Sequence, residues 1–171
     1  MKVNTNEISN VIPKLKCGDR ILLSGTVYTA RDAAHKRLIG LIESASPLPF
    51  ELQNAIIYYA GPTQTPPNLP IGSCGPTTSS RMDIFTPKLL DLGLKATIGK
   101  GPRNEDVISS IIKNNAIYLC ALGGCGALAA KCIKKCDVVA FEDLGCESIK
   151  RLEIEDFPLV VAIDSKGNSI F

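Results

Sequence analysis

Short apolar runs and longer helical repeats alternate along the chain. The runs Arg20 to Tyr28 (RILLSGTVY), Ala55 to Ala60 (AIIYYA), Leu94 to Ile98, Ala116 to Leu122, Asp137 to Phe141, Leu152 to Ile154 and Leu159 to Ile163 have strand length and strand formers. Gly25 inside the first run marks a bulge or a close approach. Ala30, Ala34, Leu38, Leu41, Ile42 and Ala45 follow helical spacing and predict a helix over about 30–44. Thr29 is its expected N-cap, and Asp32 the acid of a capping box. Thr86-Pro87 opens a second helix that stops at Gly93. Asn104 caps a third, with Glu105 and Asp106 in its first turn and Val107, Ile108, Ile111 and Ile112 turned inward. Gly123-Gly124-Cys125-Gly126 leads into a short alanine-rich helix. Residues 1–19 read as a polar lead-in closed by the turn Cys17-Gly18-Asp19, Glu142 to Lys150 as a loop with room for a turn of helix, and Asp164 to Asn168 as a tight turn. The pattern predicts one α/β domain over residues 1–171, a mixed sheet flanked by helices.

One stretch breaks both rhythms. Ile71 to Arg81 reads Ile-Gly-Ser-Cys-Gly-Pro-Thr-Thr-Ser-Ser-Arg, reached through a stiff connection, Gly61 to Pro70, with four prolines. Two glycines and a proline forbid a regular strand. The four hydroxyls of Thr77, Thr78, Ser79 and Ser80 then precede Met82, Ile84 and Phe85, which call for burial. This is a loop opening into a helical turn around Thr78 to Phe85. Unpaired N–H groups at a helix start, the hydroxyls and Arg81 would together receive a carboxylate or a phosphate. The plainer alternative is an ordinary Ser/Thr-capped helix start.

Composition narrows the partners. Of 171 residues, 45% are hydrophobic and 21% charged, with a net charge of +2, which gives no electrostatic case for nucleic acid or an anionic membrane. Few aromatics and no tryptophan leave no base-stacking platform. Met1 to Glu7 is polar and no run reaches membrane-span length, so a cytoplasmic protein is expected. The seven cysteines (17, 74, 120, 125, 132, 136 and 146) include no Cys-x-x-Cys pair and no recognised metal spacing. They are expected to be reduced structural thiols, with Cys74 set apart by its place in the anion loop.

Three loops after predicted strands carry cations: Arg31, Arg81 and Lys100. Loops at strand ends of an α/β sheet meet at one crevice, and two arginines and a lysine around hydroxyls suit a dianion. Arg31 in the first turn of a helix opposes the dipole, a local rule broken where function is commonly found. Asp32 and His35 lie beside it in sequence. There is no Walker loop and no G-x-G-x-x-G, so a nucleotide site has no support.

These residues carry a family resemblance. Gly25 to His35 (GTVYTARDAAH), Gly75 to Asp83 (GPTTSSRMD), Gly99-Lys100-Gly101 and Phe141 to Gly145 (FEDLG), continuing to Glu155-Asp156-Phe157-Pro158 and Asp164 to Asn168, resemble signatures of class I, iron–sulfur-dependent fumarate hydratases. The chain's length is similar to the β subunit of the two-subunit form, equivalent to the C-terminal domain of single-chain members. The β subunit of L-tartrate dehydratase is the close relative. The resemblance implies a swivelling β/β/α domain and reversible anti addition of water to fumarate, giving (S)-malate. It implies a [4Fe-4S] cluster held by three cysteines of a partner α subunit, with none bound by this chain, and a homodimeric or α2β2 assembly. It implies that Arg31, Arg81 and Lys100 hold substrate carboxylates, with Thr78 and His35 beside them, and that Thr77 is the candidate base at C3, Asp32 being the other. A different class of function, a stand-alone carboxylate- or phosphate-binding module, rests on the same loop.

Overall fold

The first residues are not a lead-in. In the computed structural model, which describes residues 1–121 and 126–171, strand β1 (Lys2–Asn4) pairs parallel with β2 (Arg20–Thr29). Between them α1 (Ile8–Val11) and the 3₁₀ turn Ile12–Lys14 bury Ile8, Ile12 and Leu15. Those three residues have the i, i+4, i+7 spacing of one helix face, too short a repeat to stand out among polar neighbours.

Three strand–helix–strand units follow. β2 leads through α2 (Asp32–Glu43) to β3 (Ile56–Tyr58), then through α3 (Thr86–Asp91) to β4 (Ala96–Gly99), then through α4 (Glu105–Lys113) to β5 (Ile117–Ala121). The four strands β2 to β5 are parallel neighbours. Helix α5 (Gly126–Cys132) precedes an antiparallel pair, β6 (Ile133–Ala140) and β7 (Ile149–Ile163). β7 pairs with β5 on one side and with β2 on the other, so β2, β3, β4, β5 and β7 close into a small barrel.

Alternation along these strands sorts the core into two layers. Ile21, Leu23, Val27, Ile56, Tyr58, Ile98, Ile117, Leu119, Leu152 and Val161 fall in the first. Ile57, Tyr59 and Tyr118 fall in the second, with Ala34 and Leu38 of α2, Leu89 and Leu90 of α3, and Val107 and Ile111 of α4. The parallel strands are apolar on both faces because each face is covered.

The mixed sheet flanked by helices agrees with the sequence reading, and the irregularity expected at Gly25 is present as a register shift between Leu23 and Gly25, with the extra residue on the facing strand β7. Asn104 caps α4 as expected, its side chain accepting the Val107 N–H at 2.9 Å. Four local expectations are corrected. Thr29 is the last residue of β2 rather than a cap; its hydroxyl bonds to the backbone of Ser148 and Lys150. The turn expected over Thr78 to Phe85 is a 3₁₀ turn, Ser79–Met82. The two strands expected around Pro158 are one strand; Asp156 adopts a left-handed conformation (φ 49°) there, which interrupts the alternation without ending the pairing. β6 starts before Asp137, because its exposed charged positions hid it. The Gly123 to Cys125 part of the glycine-rich loop lies outside the described residues. No helix among the described residues is long and apolar enough to cross a membrane.

Candidate functional site

The carboxyl ends of parallel strands β2, β3 and β4 share one end of the barrel, and their loops carry Arg31, the Cys74–Arg81 segment and Lys100. Backbone bonds hold these loops together. The Ala30 N–H donates to Tyr58 O at 3.2 Å, and the Thr77 N–H to Tyr59 O at 2.7 Å. Thr78 bridges to Lys100 in parallel register, and Ala60 to Pro76. The Ser79 N–H donates to Lys100 O at 3.0 Å, while the Lys100 N–H donates to Ser79 Oγ at 3.0 Å. Ser79 is fully buried, and its hydroxyl also bonds to that of Tyr118 at 2.9 Å, whose own proton goes to Gly101 O at 2.8 Å. Gly99 is the residue that allows this approach, since a Cβ there would collide with the Ser79 side chain and come within 2.9 Å of the Tyr59 ring.

This arrangement changes how an anion could be held. The N–H groups of Thr77 and Ser79 are already bonded to protein carbonyls, and a four-residue 3₁₀ turn has little of a helix dipole. Ser79 Oγ is committed as well. What faces outward is the half-buried Thr77, the exposed Thr78 and Ser80, and the cations. Thr77 precedes the turn, so its four-residue separation from Arg81 does not place the two on one helix face.

Arg81 is paired. Its Nε–H donates to Asp32 Oδ1 at 3.0 Å and its Nη2–H to Oδ2 at 2.8 Å, a fork on a carboxylate. Two of its five N–H donors are thereby used. Asp32 opens α2 but does not cap it, because the Arg81 pair holds its carboxylate instead. Lys100 is exposed beside Thr78. Arg31, at the N-cap position of α2, lies 3.7 Å from Glu147 through Nη2. The structure therefore brings Arg31, Asp32, Thr77, Thr78, Arg81 and Lys100 to one end of the sheet.

His35 is not presented with them. It is fully buried, with its ring stacked on Phe85 (centroids 5.6 Å) and edge-on to Tyr59 (5.5 Å). Its Nδ1 lies 2.8 Å from Arg31 O; a carbonyl only accepts, so Nδ1 carries the proton and Nε2 is a bare lone pair. Burial pushes its pKa down to about 4, against the opposing pull of that carbonyl bond, so the ring is neutral.

Below the site lies a second layer that sequence reasoning missed. Arg103 donates to Asp83 Oδ1 (2.6 Å), Thr97 Oγ1 (3.1 Å), Thr86 Oγ1 (2.7 Å) and Tyr59 Oη (3.3 Å). Its guanidinium lies over the rings of Tyr59 and Tyr118, 5.3 and 4.9 Å from their centroids. Asp83 sits two residues after Arg81, and Arg103 immediately follows a proline. Neither position has a one-dimensional mark of burial. Glu147 was also missed, since it lies in a stretch read as loop.

No metal centre is formed by this chain's described residues. They contain no group of three His, Cys, Asp or Glu side chains that could hold a metal, and their six cysteines are free. Cys74 is buried, and its thiol is pushed up to about 12 by that burial, so it stays protonated at neutral pH. The residues described do not fit a cluster of their own. An apolar cavity of about 390 Å³, lined by Met1, Ile21, Leu22, Pro158 and Leu159, is at the opposite end of β2 from Arg31.

Comparison with known proteins meets this geometry. An L(+)-tartrate dehydratase subunit beta assigned in Methanocaldococcus jannaschii is 42% identical over 166 residues, covering 94% of this chain and 85% of that one. The anaerobic class I fumarate hydratase of Escherichia coli is 38% identical over 177 residues, covering 100% of this chain and 32% of that protein. Fumarate hydratase 2 of Leishmania major is 36% identical over 177 residues, covering 100% of this chain and 30% of that protein. The chain thus spans about a third of the fumarate hydratases it matches. The family described as Fumarase C-terminus matches residues 1–171 without remainder, and the chain belongs to it.

Proposed function

We propose that this chain is the β-type portion of a hydro-lyase that interconverts (S)-malate and fumarate plus water, its site completed by a partner α subunit. The observation that carries the reading is the convergence of Arg31, Arg81, Lys100 and Thr77 on an open strand-end face. In this reading residues 1–171 are one domain, the fold is the swivelling β/β/α type, and the protein is cytoplasmic. The closed barrel with helices packed on its parallel strands supports the fold, and the free thiols support the compartment. The [4Fe-4S] cluster expected of the class would belong to the partner; when bound, it would supply a Lewis acid for the departing hydroxyl.

This chain's own residues bind and move a proton. Arg31, Arg81 and Lys100 receive the two carboxylates, Arg81 with the three N–H donors that Asp32 leaves open. Thr78 lies alongside, while His35 acts from beneath by holding the Arg31 carbonyl. As its alkoxide, Thr77 Oγ takes the proton from C3 in dehydration, becoming the hydroxyl, and returns that proton in hydration. A threonine hydroxyl is a weak base, so the cations must lower its pKa. Their role grows because the N–H groups of Thr77 and Ser79 are spent on protein carbonyls. Asp32 is the poorer base, since both its oxygens accept from Arg81.

L-tartrate is the second substrate reading, favoured by the 42% identical relative of comparable length. The test is copurification with the partner and turnover of malate, tartrate and fumarate. Thr77→Val keeps the shape and removes the hydroxyl, and should lower turnover by roughly 10²-fold with iron content unchanged. Near-normal turnover would return Thr77 to a purely structural part. Micromolar binding of malate or phosphate by the chain alone would favour the stand-alone binding module.

A further inference from the structure

We propose that Glu147 is a positioning residue for Arg31, and through it for the ligand carboxylate; the inference rests on the reading of Arg31 given above. Helix α2 begins at Asp32, and Arg31 occupies its N-cap position with extended backbone (φ −123°, ψ −163°) and no side-chain cap. An arginine cannot cap a helix start, because its side chain has donors and no acceptor. Glu147, from the connection between β6 and β7, supplies the acceptor instead. Its Oε2 accepts the Ala33 N–H at 3.0 Å, while Oε1 lies 3.7 Å from Arg31 Nη2. One carboxylate therefore caps the helix and faces the cation that the cap position would otherwise repel.

Arg31 is confined from other sides too. Its carbonyl is held by the N–H and the Nδ1–H of His35, each at 2.8 Å. Its Nε is buried with no hydrogen-bond partner among the described residues, a cost that the charge of Glu147 near Nη2 offsets. Gly61 provides the wall, since a Cβ there would come within 2.8 Å of Nη1. Among the described residues, only Glu147 supplies opposite charge to it.

The loop carrying Glu147 is itself tied down. Lys150 Nζ donates to Ser148 Oγ (2.6 Å), Gly145 O (3.0 Å) and Cys146 O (3.3 Å), so the ammonium staples the residues on both sides of Glu147. Thr29, two residues before Arg31, donates to Ser148 O at 3.3 Å and accepts the Lys150 N–H at 3.1 Å. The two segments, more than a hundred residues apart, are thus built as one unit with Arg31 at its edge.

Glu147→Gln separates the two tasks. The amide oxygen still accepts from Ala33, but the charge facing Arg31 is gone. Glu147→Ala removes both. The first readout is solvent exchange of the Arg31 Nε–H by NMR on the full chain, the signal assigned by its loss in Arg31→Lys. Glu147→Gln should speed that exchange roughly tenfold or more with the melting temperature nearly unchanged. The second readout is kinetics of the complex with its partner, where KM for the dicarboxylate should rise about tenfold and kcat stay within about twofold. Unchanged exchange in Glu147→Gln, with only Glu147→Ala destabilised, overturns the proposal and leaves Glu147 a helix cap. Faster exchange with an unchanged KM supports the positioning and overturns instead the reading of Arg31 as a carboxylate ligand.

Discussion

Two arginine–carboxylate pairs meet one turn of chain, through Arg81 and Asp83, and they are built to opposite specifications. Asp83 and Arg103 are 4% and 0% exposed in their side chains, while Asp32 and Arg81 are 26% and 49% exposed. In the buried pair every guanidinium nitrogen has a partner, and the second oxygen of Asp83 accepts the Asn104 N–H at 2.8 Å. Four of the five Arg103 N–H donors are used and the side chain is fully buried, so it presents nothing to a ligand. It fastens the Ser79–Met82 turn to the start of α4 and to β4 through Thr97. In the outer pair Arg81 gives two N–H groups to Asp32 and keeps three, on a surface where a dianion can arrive. Saturation makes a scaffold, and spare capacity makes a receptor. The receptor residue can be half exposed because the scaffold two residues along the chain is not.

Three changes probe that contrast. The largest effect is expected from Asp83→Asn, which leaves the Arg103 charge buried without a counter-ion. About 3–5 kcal/mol of stability should be lost, read by urea unfolding. A loss below about 1 kcal/mol would mean that the tyrosine rings and hydroxyls alone hold the guanidinium.

The next concerns pH. His35 lies against Tyr59 and Phe85, with Arg103 and Asp32 the nearest charges, and its folded pKa of about 4 is below the ordinary 6.5. The folded state binds the proton less readily than the unfolded one. The stabilisation is therefore complete above about pH 6.5 and is lost as pH falls from there toward 4, by as much as about 3 kcal/mol. His35→Phe should flatten that part of the stability–pH curve; an unchanged slope would assign it to other groups.

The smallest change in stability, within about 1 kcal/mol, is expected from Arg81→Lys, because an exposed pair contributes little. The Michaelis constant of the complex should nonetheless rise about tenfold, since lysine keeps the charge and loses the fork. If Arg81→Lys instead destabilised the fold as Asp83→Asn does, the two pairs would be alike and the contrast would fail.

Legibility followed the range of the interactions involved. The β3, β4 and β5 runs, the cap at Asn104 and the irregularity at Gly25 are local matters of side-chain period, capping chemistry and backbone freedom, and each was readable within a few residues. Arg31, Thr77, Arg81 and Lys100 stood out because cations and hydroxyls in loops after strands have few purely local reasons to be there. The cap assigned to Thr29 failed because a distant strand, β7, claimed its hydroxyl. The helix start assigned to the hydroxyl run failed because Tyr59, just after β3, and Lys100 claimed the N–H groups of Thr77 and Ser79.

By itself the sequence determined the α/β alternation, the loops that carry charge, and the motifs that tie the chain to its family. Hydrophobic period and residue type are properties of a single chain segment, and they survive without knowledge of what lies opposite. Only the tertiary structure decided that β7 closes the sheet into a barrel, that Arg103 and Asp83 form the floor of the site, and that His35 is buried beneath it. It also decided that Asp32 serves Arg81 while Glu147 takes over the cap. A hydrogen-bonding group has several candidate partners along the chain. Which one it takes depends on which segments folding brings within about 3 Å, a distance the order of residues does not contain.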